Sequence, residues 1–208
     1  MVTAIAPSPR RNAMHPPLDE QISSELRLLE GQPFTECFRA ADLIMFSFGE
    51  ERERLTRTGA RIMVSPIRMH LQCRWRVCDG DCVAFGSDDI FYRGSEPMNG
   101  AMNGAMNGGR HGQRDREEFD YLYSLTALDV LHDAWFAKHR RAALMVISAK
   151  GDRFGGFQIM LAGGMTVECL PCESRRDAEL WRLFGHRADD SHFVVLASGV
   201  EPPVDDSK

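Results

Sequence analysis

The stretch IRMHLQCRWRVCDGDCVAFGS, residues 67–87, decides how this chain folds. Met69, Leu71, Cys73, Trp75 and Val77 alternate with Arg68, His70, Gln72, Arg74 and Arg76. Successive side chains of a strand point to opposite faces, so this spacing predicts a half-buried strand with its apolar half on a core and its polar half toward water. Asp79-Gly80 then supplies the positive backbone dihedrals of a tight hairpin, and Cys82 to Phe85 returns as the partner strand.

The same texture continues on both sides. FTECFRAADLIMFSFGE, 34–50, predicts two short strands around Arg39 to Asp42, with the apolar run Leu43 to Phe48 buried on both faces. The charged EERERLTRTG that overlaps its end reads as a solvent-exposed connection. ALMVISA, GGFQIMLA and MTVECL predict three further strands, the last two joined at Gly163-Gly164, and WRLF leads toward a final strand in HFVVLAS. Two segments carry helical spacing instead. LDEQISSELRLLEG places Ile22, Leu26 and Leu29 on one face and stops at Gly31. In EEFDYLYSLTALDVLHDAWFAKH, Phe119, Leu122, Leu125, Leu128, Leu131 and Trp135 predict a helix of about five turns. Hairpins with few helices define an α+β class: one domain, mostly antiparallel sheet, with one long and one short helix packed against it.

The domain is expected over residues 18–200, between a flexible tail at 1–17 and an acidic tail at 201–208. Inside it, residues 95–116 have no apolar periodicity and hold a three-fold Met-Asn-Gly repeat from Met98. Glycine at every fourth position costs roughly 1 kcal/mol per residue in a helix, so the repeat is read as a flexible loop inside one domain.

A 208-residue chain buries a sufficient core without cross-links, and its 43% hydrophobic and 26% charged content is that of a globular protein. The net charge of -5 and the dispersal of basic residues argue against a nucleic-acid partner. No apolar run approaches the ~20 residues of a spanning helix, which argues against a membrane role. The N-terminus lacks the order of a secretory signal, so a cytoplasmic location with reduced thiols is expected. Glycine-rich phosphate loops and a G-x-S-x-G elbow are absent from the sequence.

FRAADLIMFSFGE, MHLQCRWRV, VAFGSDDIFY, GGFQIMLAGGMTVECLP, WRLF and HFVV together resemble a group of small bacterial α+β proteins to which no activity is assigned. The resemblance spans roughly residues 31–196 and implies the fold, with no catalytic residue to carry over. Arg74 departs from it where such sequences tend to have proline. Cys169 and Cys172 also depart, standing where an aromatic and a polar residue are expected.

Several constellations could carry chemistry. Cys78-x3-Cys82 and Cys169-x2-Cys172 are two short-spaced pairs able to give zinc four soft ligands; the competing reading makes Cys82 and Cys169 apolar fillers. Cys169 and Cys172 alone have the spacing of a redox pair, without the βαβ context of one. His132 and His139 would share a helix face, and His186 and His192 flank Asp189 and Asp190. The basic row Arg68, His70, Gln72, Arg74 and Arg76 suits a carboxylate, a phosphate or an acidic partner surface. Its alternative is a solvated face whose charges pair with Asp88, Asp89 or Glu168. The functional expectation is a binding or accessory protein, an immunity-type or complex-forming factor, acting on a protein partner through this face. A small metal-dependent enzyme or enzyme subunit, its metal held by cysteine or histidine, is the alternative.

Overall fold

The computed structural model of the protein describes residues 16–41, 43–56, 58–94, 119–185 and 191–202. The repeat and most of both tails lie outside the described residues.

Helix α1 spans Leu18–Leu26 and runs into a 3-10 turn, Arg27–Leu29, with Ile22, Leu26 and Leu29 fully buried as their spacing requires. Strands β1 (Phe34–Ala40), β2 (Leu43–Phe48), β3 (Arg52–Leu55), β4 (Arg61–Val64), β5 (Ile67–Leu71), β6 (Arg74–Asp79) and β7 (Cys82–Gly86) follow. After helix α2 (Ala127–Lys138) come β8 (Val146–Gly151), β9 (Phe157–Leu161), β10 (Thr166–Leu170), β11 (Glu179–Phe184), β12 (Phe193–Leu196) and β13 (Gly199–Val200). Every named pairing is antiparallel. The protein is therefore α+β, as the sequence predicts.

The strands form a six-stranded sheet in the order β1-β2-β5-β11-β12-β13, a five-stranded sheet in the order β7-β6-β10-β9-β8, and the separate hairpin β3-β4. One apolar core draws on both larger sheets and both helices. Helix α2 touches β7 and β1, an edge strand of each sheet, while α1 touches β8 and β13, the two other edges. Each helix thus packs against an edge strand of both sheets. Trp181 of β11 is fully buried, and its indole N–H donates to the Gly155 carbonyl at 2.7 Å. Gly155 has φ +89°, a conformation that strains any residue with a Cβ, and a Cβ there would press on Leu180 Cδ1 at 2.8 Å.

Four details differ from the sequence reading. The alternating segment 67–77 is two strands in two sheets, β5 and β6, with a bend at Gln72 and Cys73. The charged connection after Gly49 is itself the hairpin β3-β4, with all four residues of β3 exposed. In β2, Ile44, Phe46 and Phe48 are buried on the inner face, while Leu43 and Met45 remain partly exposed on the outer one. Helix α2 has 12 residues and starts at a buried cap instead of at Phe119. The Thr126 hydroxyl accepts from the Asp129 amide at 3.3 Å, and the Asp129 carboxylate accepts from the Thr126 amide at 2.8 Å. The turn before it presents the Tyr121 and Ser124 carbonyls to Arg39 of β1, at 2.8 and 3.1 Å.

Arg39 also grips Asp129 with two hydrogen bonds, 3.1 and 2.8 Å, so one guanidinium joins β1, the turn and the helix start. Burial alone would lift the Asp129 pKa, but the bonds from Arg39 and Thr126 outweigh it and hold the carboxyl below its usual value. The Arg39 and Asp129 side chains are only 10% and 21% exposed. Arg39→Ala is accordingly expected to lower unfolding stability by about 2–3 kcal/mol in urea titration at pH 7. A loss under about 0.5 kcal/mol, the range of an ordinary surface substitution, would show that this network does not anchor α2.

Candidate functional site

The bend at Gln72 and Cys73 divides the expected basic row. Arg68 and His70 lie on the outer face of the six-stranded sheet; Arg74 and Arg76 lie on the outer face of the five-stranded sheet. Gln72 sits at the bend, exposed, with its amide still donating to Leu180 at 2.9 Å. The structure does not bring the five together as one face. The bend preserves the in-out alternation, so the spacing carries no trace of the change of sheet.

The two halves differ in electrostatics. On the five-stranded sheet the register lines up Arg76, Glu168, Gln158 and Lys150 across four strands. Arg76 donates to Glu168 at 2.6 Å, and Gln158 donates to the other carboxylate oxygen at 3.0 Å. Burial would raise the Glu168 pKa, but these two donors hold it below its ordinary value. Arg74 lies 3.4 Å from Asp88 in an exposed pair. This half is a solvated face with cross-strand compensation, as in the competing reading of the sequence.

The other half is built differently. The registers place Phe38, Met45, His70, Arg182 and Val194 in one row across β1, β2, β5, β11 and β12. Beside it Glu36, Ser47, Arg68 and Phe184 form a second row. The Phe184 ring is the hub: the Arg68 guanidinium carbon lies 5.1 Å from its centroid, the His70 ring meets it in a T-shaped contact at 4.4 Å, and the His192 ring lies tilted against it at 5.0 Å. Glu179 accepts from Arg182 Nε at 2.6 Å, and Arg182 Nη1 lies 3.3 Å from His192 Nδ1. Arg68 has no carboxylate partner among the described residues, and its Nε is buried with no hydrogen-bond partner. Such a group carries an unrecovered desolvation cost until an acceptor reaches it. Arg182 and Phe184 escape a sequence reading because they come from a segment more than 100 residues downstream, with only the Trp-Arg-Leu-Phe alternation as a signal; His192, a candidate from its acidic neighbours, is placed here against Phe184 and Arg182 instead.

The four cysteines considered as zinc ligands do not converge. Cys78 lies opposite Thr166 on the outer face of the five-stranded sheet, whereas Cys169 lies opposite Trp75 on the inner face. Cys82, across the β6-β7 turn, and Cys172 are exposed. Period-two alternation therefore separates the two pairs. Among the described residues no three or more His, Cys, Asp or Glu side chains gather where they could hold a metal. The Cys172 thiol donates to the Leu170 carbonyl at 3.3 Å, and Cys169 instead meets Cys73, sulfur to sulfur, at 3.1 Å. His132 lies 3.1 Å from Asp133, and His139 lies 3.1 Å from Asp79, which also accepts from Lys138 at 3.0 Å. Those contacts tie the end of α2 to the β6-β7 hairpin. His186, Asp189 and Asp190 lie outside the described residues.

Fold and site define an antiparallel α+β protein whose outer sheet face gathers Phe38, Phe184, Arg68 and Arg182, the last paired with Glu179. The chain matches no protein-family model, no curated protein and no solved structure.

His70 gives this face a pH signature. Burial, then the Arg182 and Arg68 charges, hold its pKa below the ordinary value of 6.5. A folded-state pKa below the unfolded one means that the unfolded chain binds more protons in that window. Stability at this residue is thus retained above about pH 6.5 and declines as pH falls toward the folded pKa. In an NMR titration the His70 ring is expected to protonate below about pH 6.5, and His70→Asn to flatten the loss of stability between about pH 7 and 5. A midpoint at or above the ordinary value would contradict the desolvated, cation-flanked setting.

Proposed function

We propose that this protein is a cytoplasmic binding or accessory protein, of immunity or complex-forming type, that engages a protein partner through the outer face of its six-stranded sheet. The feature that carries the reading is Arg68, half-buried over the Phe184 ring with no carboxylate partner among the described residues. Arginine, aromatic residues and methionine are the types enriched where protein interfaces bind most strongly, and Phe38, Met45, Arg68 and Phe184 combine them here. A planar guanidinium held against a ring favours a carboxylate, so the partner segment is acidic. Arg74 and Arg76, already compensated by Asp88 and Glu168, leave this reading and become its control. No helix among the described residues is long and apolar enough to cross a membrane. The cytoplasmic location and the kinship with small bacterial proteins belong to the same proposal.

Two charge reversals separate the faces. Crosslinked affinity capture from host cells is expected to retain one partner with the wild type and with Arg76→Glu, and to lose it with Arg68→Glu, whose purified form binds at least tenfold more weakly by calorimetry. The circular dichroism of both variants is expected to match the wild type. Equal capture by Arg68→Glu, or no partner with any form, would overturn the proposal.

A further inference from the structure

The bend that separates the two sheets also brings two distant thiols together. Cys73 lies at the bend, half-buried, and lines an open cavity of about 380 Å³ with Trp75, Asp88, Phe91 and Cys172. Cys169 lies behind it on β10, 1% exposed, facing the core beside Trp75. Cys73 lies two residues before Trp75, the residue that pairs with Cys169, so the bend sets its thiol beside the inner face of β10. The Cys73 and Cys169 sulfurs stand 3.1 Å apart, about 1 Å longer than a disulfide bond of 2.03–2.05 Å. All six cysteines are free thiols, and this contact pairs residues 96 apart in sequence.

We propose that Cys73 and Cys169 form a reversible dithiol–disulfide couple that exchanges with a small disulfide of the glutathione type entering through this cavity. The two thiols differ in access, and access sets the order of steps. Cys73 is the one a reagent in the cavity meets. Its thiol gives a proton to solvent, and the thiolate attacks one sulfur of the external disulfide. A Cys73–glutathione bond forms, the external S–S bond breaks, and one thiolate leaves and takes up a proton. Cys169 then loses its proton and attacks the Cys73 sulfur; the protein disulfide forms and the second glutathione leaves as its thiol. Two protein thiols are oxidised and one external disulfide is reduced to two thiols.

Burial above all, and the Cys73 thiol beside it, push the Cys169 pKa well above the ordinary thiol value. The second step is therefore slow at neutral pH and accelerates as pH rises. Once closed, the bond pins the bend between β5 and β6 to the end of β10, and so fixes one corner of both sheets. This inference is independent of the proposed partner binding.

The test uses the full chain with glutathione disulfide alone as oxidant, read by peptide mass mapping without reduction. The wild type is expected to yield a Cys73–Cys169 cross-linked peptide, formed roughly tenfold faster at pH 8 than at pH 7 and reversed by dithiothreitol. Cys169→Ser is expected to stop at one glutathione adduct on Cys73, Cys73→Ser to leave Cys169 unmodified, and Cys172→Ser to cross-link like the wild type. Glutathione on exposed Cys172 with no Cys73–Cys169 link, or a link from Cys169 to Cys172 instead, would overturn the proposal. Because the wild type supplies the decisive readout, a variant that misfolds does not obscure the result.

Discussion

The Trp75 and Phe46 rings meet edge to face at 4.9 Å, and a closed circuit of aromatic contacts runs on from that point. Trp75 reaches Phe85 at 5.9 Å, Phe85 reaches Trp135 at 5.5 Å, Trp135 reaches Phe34 at 6.2 Å, and Phe34 returns to Phe46 at 5.3 Å. Phe34 and Phe46 belong to the six-stranded sheet, Trp75 and Phe85 to the five-stranded one, and Trp135 to α2. Edge-to-face pairs contribute about 0.5–1.5 kcal/mol each beyond the area they bury, and they fix orientation as well as distance. The circuit requires Trp75 to leave the sheet of β5 and join its partner. The bend at Gln72 and Cys73 is the backbone solution to that requirement.

Consequences for function follow from the same bend. It carries Arg74 and Arg76 to a face where Asp88 and Glu168 already stand, and leaves Arg68 and His70 on a face whose center is the Phe184 ring. Equal arginines in the sequence thereby acquire unequal surroundings: Arg74 and Arg76 are compensated, and Arg68 has no carboxylate partner among the described residues. It also turns the Cys73 thiol toward Cys169, so two cysteines with no sequence relation come to share one sulfur contact.

The fold class was legible because it rests on local periodicity. The alternation from Met69 to Val77, the hairpin turn, which falls on Gly80-Asp81 with positive φ at Gly80 alone, and the Ile22, Leu26 and Leu29 spacing are all local signals. Alternation records which side of a strand is inside, however, and not which sheet the strand joins; residues 69, 71, 75 and 77 face one core from two sheets. The segment before Thr126 departs from its helical spacing for a related reason. Leu122 and Leu125 fit a helical period, but the Thr126 cap and the pull of Arg39 on the preceding carbonyls make that segment a turn. Half of the candidate face, Arg182, Phe184 and His192, depends on the pairing of β5 with β11, a long-range register that no local pattern encodes.

Cross-strand proton contacts measured by NMR address the two-sheet arrangement most directly. Residues 67–71 are expected to show contacts to 44–48 and 181–184, and residues 74–78 to 166–170 and 82–86, with no strand pair common to both sets. A single uninterrupted ladder, in which residues 67–78 all face the same neighbouring strand, would contradict the bend and the division of the basic row that follows from it.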